Sequence, residues 1–368
     1  MPDSRFAALL RFGFDQRLLA SWQSALQAGR MSQQHNLVAS PLLPPPVAAI
    51  AKLPASETAS AKELAQLGGA AIGRGELGVA ILNGGMATRF GGVVKGVVDV
   101  LFPGRSFLQL ALQDVAQAQQ RHGGLVQVFL MNSFATEAAT KEHFERHHNF
   151  GLDKAQIHHF NQSVSVRLEK SGELFLTQSG KVSPYGPGHG DFPAAFRQQV
   201  LSPFRNAGGK HVFVRNVDNL GARISPLVLG HHIKSQCETT CEVVAKHKGD
   251  VGGAPYMMDG KMQIVEQIRY PDGFDASIVD VFNCNTFTFC ASALDRDFGL
   301  GWYYVEKLVE GRKAVQVEHL IGEVTRELKT NYLRVPRTGA DSRFFPIKTP
   351  EDLNALRAEI TSMYDAPK

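Results

Sequence analysis

The run Leu77-Gly78-Val79-Ala80-Ile81-Leu82 carries no polar side chain and does not alternate, and it leads straight into the glycine-rich stretch Asn83 to Gly92. A strand with one wet face alternates, whereas a continuous apolar run marks a strand covered on both faces, as in parallel sheets held between helix layers. The texture recurs. Leu125 to Met131 is a second such strand and a third ends at Phe160. Helical segments from Phe107, capped by Ser106, and from about Thr136 to His148 separate them. This order predicts an α/β fold with a mixed, mainly parallel central sheet flanked by helices.

The rest of the chain reads less evenly. Phe6, Leu9, Leu10 and Phe14 fall at helix spacing in residues 1–35, and the proline-rich Pro41 to Pro54 reads as a linker or wrapping arm. Val164 to Gln178 alternates like a hairpin. Asp191 is placed to cap a helix running to about Asn206. His211–Asn216 is a strand, with the loop Val217–Gly221 at its carboxyl end. Further strands are predicted over Cys237–Lys246, Ala254–Met258, Met262–Ile268 and Phe282–Phe289, the middle two joined by the turn Asp259-Gly260. Thr349-Pro350-Glu351-Asp352 is a helix start, with Leu353, Leu356 and Ile360 as its apolar face. The division expected is an N-terminal helical segment and arm over 1–75, a main domain over 76–355 with an inserted subregion, and a short helix end and tail over 356–368.

The chain has 368 residues, so more than one hydrophobic core is expected. A net charge of +4 with scattered basic residues gives no stripe for nucleic acid. No apolar run approaches the ~20 residues of a membrane span, and the charged start does not read as a secretory leader, so a cytoplasmic protein is expected. The four cysteines, Cys237, Cys241, Cys284 and Cys290, form no CxxC pair and read as reduced, buried thiols. The adjacent histidines at 147–148, 158–159 and 231–232 read as surface or supporting residues, not ligands. Oligomeric state is left open.

The glycine loop carries the chemistry. Gly84-Gly85 lets backbone N–H groups approach anionic oxygens closely, Arg89 supplies a planar donor fork, and Lys95 adds a second cation. The spacing is neither GxxxxGK[ST] nor GxGxxG, which disfavours P-loop enzymes and dinucleotide oxidoreductases. Lys348 stands just before the Thr349 cap, so an ammonium and a helix N-terminus converge.

Leu82-Asn83-Gly84-Gly85 with Thr88-Arg89 resembles the nucleotide-binding loop of the UDP-sugar pyrophosphorylases. Leu130–Phe134, Phe160–Ser163, Gly186–Asp191, Asn216–Gly221, Lys248–Gly253, Phe282–Asn285, Val335–Arg337 and Ser342–Lys348 follow in the same order as in that family's eukaryotic-type UTP–glucose-1-phosphate uridylyltransferases. The resemblance spans roughly residues 78–355. It implies a Rossmann-like, GT-A-like nucleotidyltransferase fold, with UTP and a sugar 1-phosphate as substrates and magnesium as cofactor. The reaction implied is attack by the sugar phosphate on the α-phosphorus of UTP, making UDP-glucose and pyrophosphate.

Carried over residue by residue, the resemblance implies catalytic roles for Arg89, Lys95 and Lys348. Leu82, Asn83, Gly84, Gly85, Gln162, Gly188 and Asp218 would bind the nucleotide, with the Gln162 carboxamide on uracil. His189, Asn216, Gly253, Glu266, Asn283 and Asn285 would face the sugar phosphate, and Asp218 is the metal-ligand candidate, its alternative being a loop-capping carboxylate. Thr88-Arg89 and Lys95-Gly96 look more like the N-acetylglucosamine branch, and Val94 stands where that branch has proline. Gly188–Asp191 and the Asn283–Asn285 pair side with the glucose branch. About 15 residues follow Leu353, so a carboxyl-terminal β-helix is not expected. The alternatives are a pyrophosphorylase for N-acetylglucosamine 1-phosphate or another sugar phosphate, and a nucleotide-sugar-binding protein without catalysis.

Overall fold

In the computed structural model, residues 4–87, 92–101 and 104–365 are described. Eight strands form the central sheet: β1 (Ile50–Lys52), β2 (Leu77–Leu82), β3 (Gln127–Asn132), β4 (Ile157–Asn161), β5 (His211–Asn216), β6 (Thr239–Ala245), β7 (Val281–Cys290) and β8 (Thr330–Arg334). They lie in the order β1-β8-β6-β7-β5-β2-β3-β4. Every neighbouring pair is parallel except those made by β7, which runs antiparallel to both β5 and β6. The sheet is mixed and mainly parallel.

The apolar run at 77–82 forms β2 with all six residues buried. Its side chains alternate between two cores. Leu77, Val79 and Ile81 pack with Leu108, Val115 and Leu130 on one face, while Ala80 and Leu82 join Phe129, Phe196 and Phe287 on the other. This two-sided burial is why the run lacks a polar alternate.

Five of the α-helices among the described residues begin at a side-chain cap. Helix α1 is Gln16–Gln27, α2 Ala59–Gly73, α3 Phe107–His122 and α4 Glu137–Arg146. Ser106 Oγ accepts the Gln109 N–H at the start of α3. Helix α5 (Phe192–Phe196) continues through a π-helical turn at Arg197–Leu201 into Ser202–Asn206. Asp191 does not cap it. Its carboxylate instead takes the backbone N–H of Ser163, which ties the helix start to the end of β4. Helix α6 is Pro226–Ser235, and α7 (Pro350–Ala355) opens with a capping box between Thr349 and Asp352. The apolar face of 353–360 is divided between α7 and α8 (Arg357–Asp365), both in contact with the same core.

The proline-rich stretch is an arm with a strand in it. Leu43 bridges to Met257, and β1 pairs in parallel with β8 at the sheet edge. The first 35 residues hold a 3₁₀ helix and α1, whose Phe6, Leu9, Phe12 and Trp22 pack on an antiparallel hairpin, Tyr303–Val309 with Arg312–Glu318. That hairpin, α2, α6 and β8 carry no distinct signal in the local sequence pattern. Leu10 is exposed, unlike its neighbours Phe6 and Leu9. The alternating stretch 164–178 is not a simple hairpin: Ser165–Val166 pair with Pro184–Tyr185, and Leu168 bridges both Leu174 and Val315. Ala254–Met258 and Lys261–Val265 do form a hairpin, turning at Asp259 (φ 54°) and Gly260 (φ 74°). No helix of the described residues is long and apolar enough to cross a membrane.

Candidate active site

Strands β2 and β5 are parallel neighbours, so the loops that follow them, Asn83–Gly85 and Val217–Gly221, leave the sheet side by side at its carboxyl edge. Ligands of open α/β sheets collect there. A cleft of about 350 Å³ opens between these loops, lined by Gly84, Gly85, Lys95, Gln162, Gly188, His189, Asn216 and Asp218, together with Leu82, Met131, Gly186 and Val217.

The loop after β2 is held from below. Asn83 is fully buried, and its amide donates to Asn132 Oδ1 at 3.0 Å and Thr140 Oγ1 at 2.8 Å. Its side chain therefore anchors the loop and does not line the cleft. Ser133 Oγ donates to the Gly84 carbonyl at 2.9 Å.

The Gln162 carboxamide fills the space beside the two glycines. A Cβ on Gly84 would meet Gln162 Nε2 at 2.7 Å, and one on Gly186 would meet it at 2.0 Å. Gln162 is buried, and its carboxamide makes no hydrogen bond among the described residues, leaving donor and acceptor for a ligand. Gly188 has φ 97°, where a side chain is strained, and a Cβ there would also meet the His319 carbonyl at 2.8 Å.

His189 follows. Its Nδ1 accepts the Ile321 N–H at 3.0 Å, which assigns the remaining proton of a neutral ring to Nε2. Burial, and secondarily His319, lowers its pKa to about 4, so it faces the cleft as a neutral donor. His319 was not anticipated. It stacks on Trp302 with ring centroids 3.8 Å apart and lies 3.5 Å from Asp191. Just after the hairpin at 303–318, where no local motif flags it, its backbone holds the turn around His189, its N–H donating to the Pro187 carbonyl and its carbonyl accepting the Gly190 N–H.

Lys95 Nζ lies 2.6 Å from Asp218 Oδ2, both side chains being mostly buried. The Asp218 carbonyl accepts the Ile347 N–H at 3.1 Å, which puts Lys348, exposed, one residue from the cleft rim. Asn219 fastens this arrangement by accepting the Phe345 N–H and donating to the Arg343 carbonyl. Arg343 is in turn bound through two nitrogens to the fully buried Glu242 on β6. The chain thus brings 95, 218 and 348 to one side. Arg89 and Thr88 lie outside the described residues.

The predicted sugar-phosphate residues extend from the same edge. Asn285 Nδ2 donates to Asn216 Oδ1 at 3.2 Å, and the Asn285 N–H goes to Asn283 Oδ1 at 2.8 Å. Asn283 reaches Glu266 Oε1 at 3.5 Å, and its N–H donates to the Gly253 carbonyl. A Cβ on Gly253 would meet the Glu266 carboxyl at 2.7 Å. Burial pushes the Glu266 pKa up against the lowering effect of Asn283 and the Gly253 amide. Asn285 sits at φ 56°, a conformation asparagine tolerates and β-branched residues do not. Glu266, Asn283, Asn285 and Gly253 do not line the cleft itself. They form a polar chain continuous with it through Asn216.

Comparison with known proteins follows the same lines. The family profile described as UTP–glucose-1-phosphate uridylyltransferase matches residues 46–366. The enzyme of that name from Hordeum vulgare is 33% identical over 301 residues, covering 77% of this chain and 62% of the relative. That from Musa acuminata is 32% identical over 307 residues, covering 79% and 64%. The chain therefore spans about three-fifths of the length of the curated relatives it matches. Among solved structures, a mutant UDP-glucose pyrophosphorylase from Leishmania major superposes with a TM-score of 0.72 at 23% identity, over 93% of this chain and 75% of that one. A UDP-N-acetylglucosamine pyrophosphorylase from Trypanosoma brucei, in complex with inhibitor, gives 0.75 at 20%, over 93% and 75%. These structures share the fold. With a cleft at the carboxyl edge of a mixed sheet and a family profile matched over most of its length, this chain belongs to the UTP–glucose-1-phosphate uridylyltransferase family.

Proposed function

We propose that the protein makes UDP-glucose and pyrophosphate from UTP and glucose 1-phosphate. The observation that carries this reading is the shared cleft in which a free carboxamide, paired glycines, a neutral histidine donor and the Lys95–Asp218 pair face one volume, with Lys348 beside it.

In this reading the Gln162 carboxamide and the backbone of Leu82, Gly84, Gly85 and Gly188 take the uridine end. Lys95 and Arg89 take the triphosphate, and Lys348 the phosphate region between the two substrates. An oxygen of glucose 1-phosphate attacks the α-phosphorus in line, forming the new P–O bond as the bond to pyrophosphate breaks. The nucleophile is already an anion, so no strong base is needed, and the rate comes from positioning and from charge stabilisation. Asn216, His189, Glu266, Asn283, Asn285 and Gly253 orient the sugar phosphate, since amides and a carboxylate discriminate hydroxyl positions where an apolar wall does not.

Magnesium fits the donor set. Asp218 offers a hard carboxylate oxygen at the mouth of a solvent-reached cleft, as that ion needs when phosphates and water complete its shell. When bound there, it neutralises phosphate charge. The catalytic unit of this reading spans 76–355, with 1–75 as the N-terminal helical segment and arm and 356–368 as the tail.

The test is pyrophosphate release from UTP with magnesium across a panel of sugar 1-phosphates. Turnover with glucose 1-phosphate is expected to exceed that with N-acetylglucosamine 1-phosphate. The reverse order would transfer the assignment to the N-acetylated sugar, and UDP-glucose binding without turnover would make the protein a non-catalytic binder.

A further inference from the structure

At the opposite end of the sheet, three potential ligands converge from three elements. His211 opens β5 and Cys290 closes β7, and the two are direct register partners across the antiparallel ladder. His232 projects from α6 onto the same spot. One ligand atom from each lies within 4.8 Å of the other two. We propose that His211, His232 and Cys290 form a binding site for a zinc-type divalent cation, separate from the substrate cleft.

The donor set suits that ion. Zinc takes imidazole nitrogen at about 2.0–2.1 Å and thiolate sulfur at about 2.3 Å in tetrahedral geometry. Those bond lengths put ligand atoms roughly 3.5 Å apart. Cys290 Sγ and His232 Nε2 are already 3.5 Å apart. The ligand atom of His211 lies within 4.8 Å of both.

The surroundings orient the ligands. His232 is 1% exposed, and its Nδ1 pairs with Thr240 Oγ1 at 2.9 Å. With that nitrogen protonated, Nε2 turns a lone pair toward Cys290, which is how a supporting hydrogen bond sets the tautomer of a metal-binding histidine. His211 Nδ1 is buried and has no hydrogen-bond partner among the described residues, which is costly unless a ligand satisfies it. Cys290 and His211 are half-buried residues, so the site lies near the surface at this end of the sheet. Binding releases the Cys290 thiol proton to solvent. His211 is five residues from Asn216 along β5, about 17 Å at the usual rise per strand residue, so the ion would staple β5, β7 and α6 together without touching substrate.

Chelator-treated full-length protein titrated with Co²⁺ tests this. One equivalent is expected to give tetrahedral visible bands and a near-ultraviolet thiolate-to-cobalt band, both bleached by Zn²⁺. The Cys290→Ser variant is expected to lose the thiolate band while still releasing pyrophosphate from UTP and glucose 1-phosphate at the wild-type rate. Alkylation of Cys290 by iodoacetamide, followed by mass spectrometry, needs no variant, and zinc is expected to slow it at least tenfold. No thiolate band at stoichiometric cobalt, a band surviving in Cys290→Ser, or unprotected alkylation would each reduce the trio to a hydrogen-bonded cluster and overturn the proposal. Absence of uridylyl transfer with an intact cobalt signal would instead sink only the catalytic reading.

Discussion

The ammonium of Lys95 rests 2.6 Å from the Asp218 carboxylate, so the residues proposed for phosphate and for magnesium neutralise one another before any ligand arrives. A cation held by Asp218 would compete with Lys95 for the carboxylate, and a Lys95 ammonium loosened from it would be available to the triphosphate. Lys95→Met is expected to tighten magnesium binding without nucleotide, read by calorimetry, while lowering kcat. Asp218→Asn is expected to reduce kcat on the order of 10²-fold, with a rise in the magnesium concentration needed. Unchanged magnesium dependence in both variants would remove the pair from the mechanism.

Lys348 is brought beside the cleft by backbone pairing, because Ile347 N–H donates to the Asp218 carbonyl while the side chain at 348 stays exposed. Lys348→Ala is therefore expected to leave the melting temperature unchanged and to cut kcat by roughly 10²-fold with little change in UTP affinity. A variant as fast as the wild type would take Lys348 off the catalytic list.

Gly186, which faces Gln162, and Gly85, which does not, provide a graded steric test. Gly186→Ala places a methyl 2.0 Å from Gln162 Nε2, whereas a Cβ on Gly85 meets nothing within 4 Å. Gly186→Ala is expected to raise the KM for UTP and blunt its preference over other nucleoside triphosphates. Gly85→Ala should retain wild-type stability in a thermal melt. Equal nucleotide preference in Gly186→Ala and wild type would argue against Gln162 as the base reader.

Arg343 and Glu242 form a buried, doubly hydrogen-bonded ion pair that ties the segment before Lys348 to β6. Removing one partner leaves an uncompensated buried charge. Glu242→Gln is expected to lower unfolding stability by about 3–5 kcal/mol, measured by urea denaturation. A loss under ~1 kcal/mol would mean that water or a neighbour takes over the guanidinium.

Acid should destabilise the fold through neutral histidines, His143 buried and His159 partly so. Burial first, then His147 and Arg146, lowers the His143 pKa to about 4, and burial then Lys141 does the same to His159. An unfolded histidine titrates near 6.5, so below about that pH the unfolded chain binds more protons than the native one. Stability is expected to be complete above pH 6.5 and to fall as pH drops toward 4. His143→Gln should flatten part of that slope in urea midpoints taken at several pH values. A midpoint independent of pH through this window would contradict the assignment.

Much of the architecture was legible along the chain because it is written in local periodicity. Strand β2 begins and ends where its apolar run does, since burial on both faces leaves no room for a polar residue. The caps at Ser106 and Thr349 act within one helical turn, so they too could be read directly. Strand β8 and the hairpin at 303–318 were missed because their partners, β1, β6 and residues 164–168, lie far away in sequence. Asp191 shows the same limit: its position suggests a cap, but the backbone of Ser163 arrives from another element and claims the carboxylate.

The amino-acid order by itself determined the buried strands, the glycine loop and the candidate residues, because these depend on residue type and short spacing. Only the tertiary structure decided that Asn83 faces inward, that Lys95 and Asp218 pair, that His319 supports the His189 region, and that His211, His232 and Cys290 meet. Each of these relations is a distance between segments brought together by sheet order. A parallel sheet sets that order through crossovers whose ends are tens of residues apart, and such encounters leave no trace in local pattern.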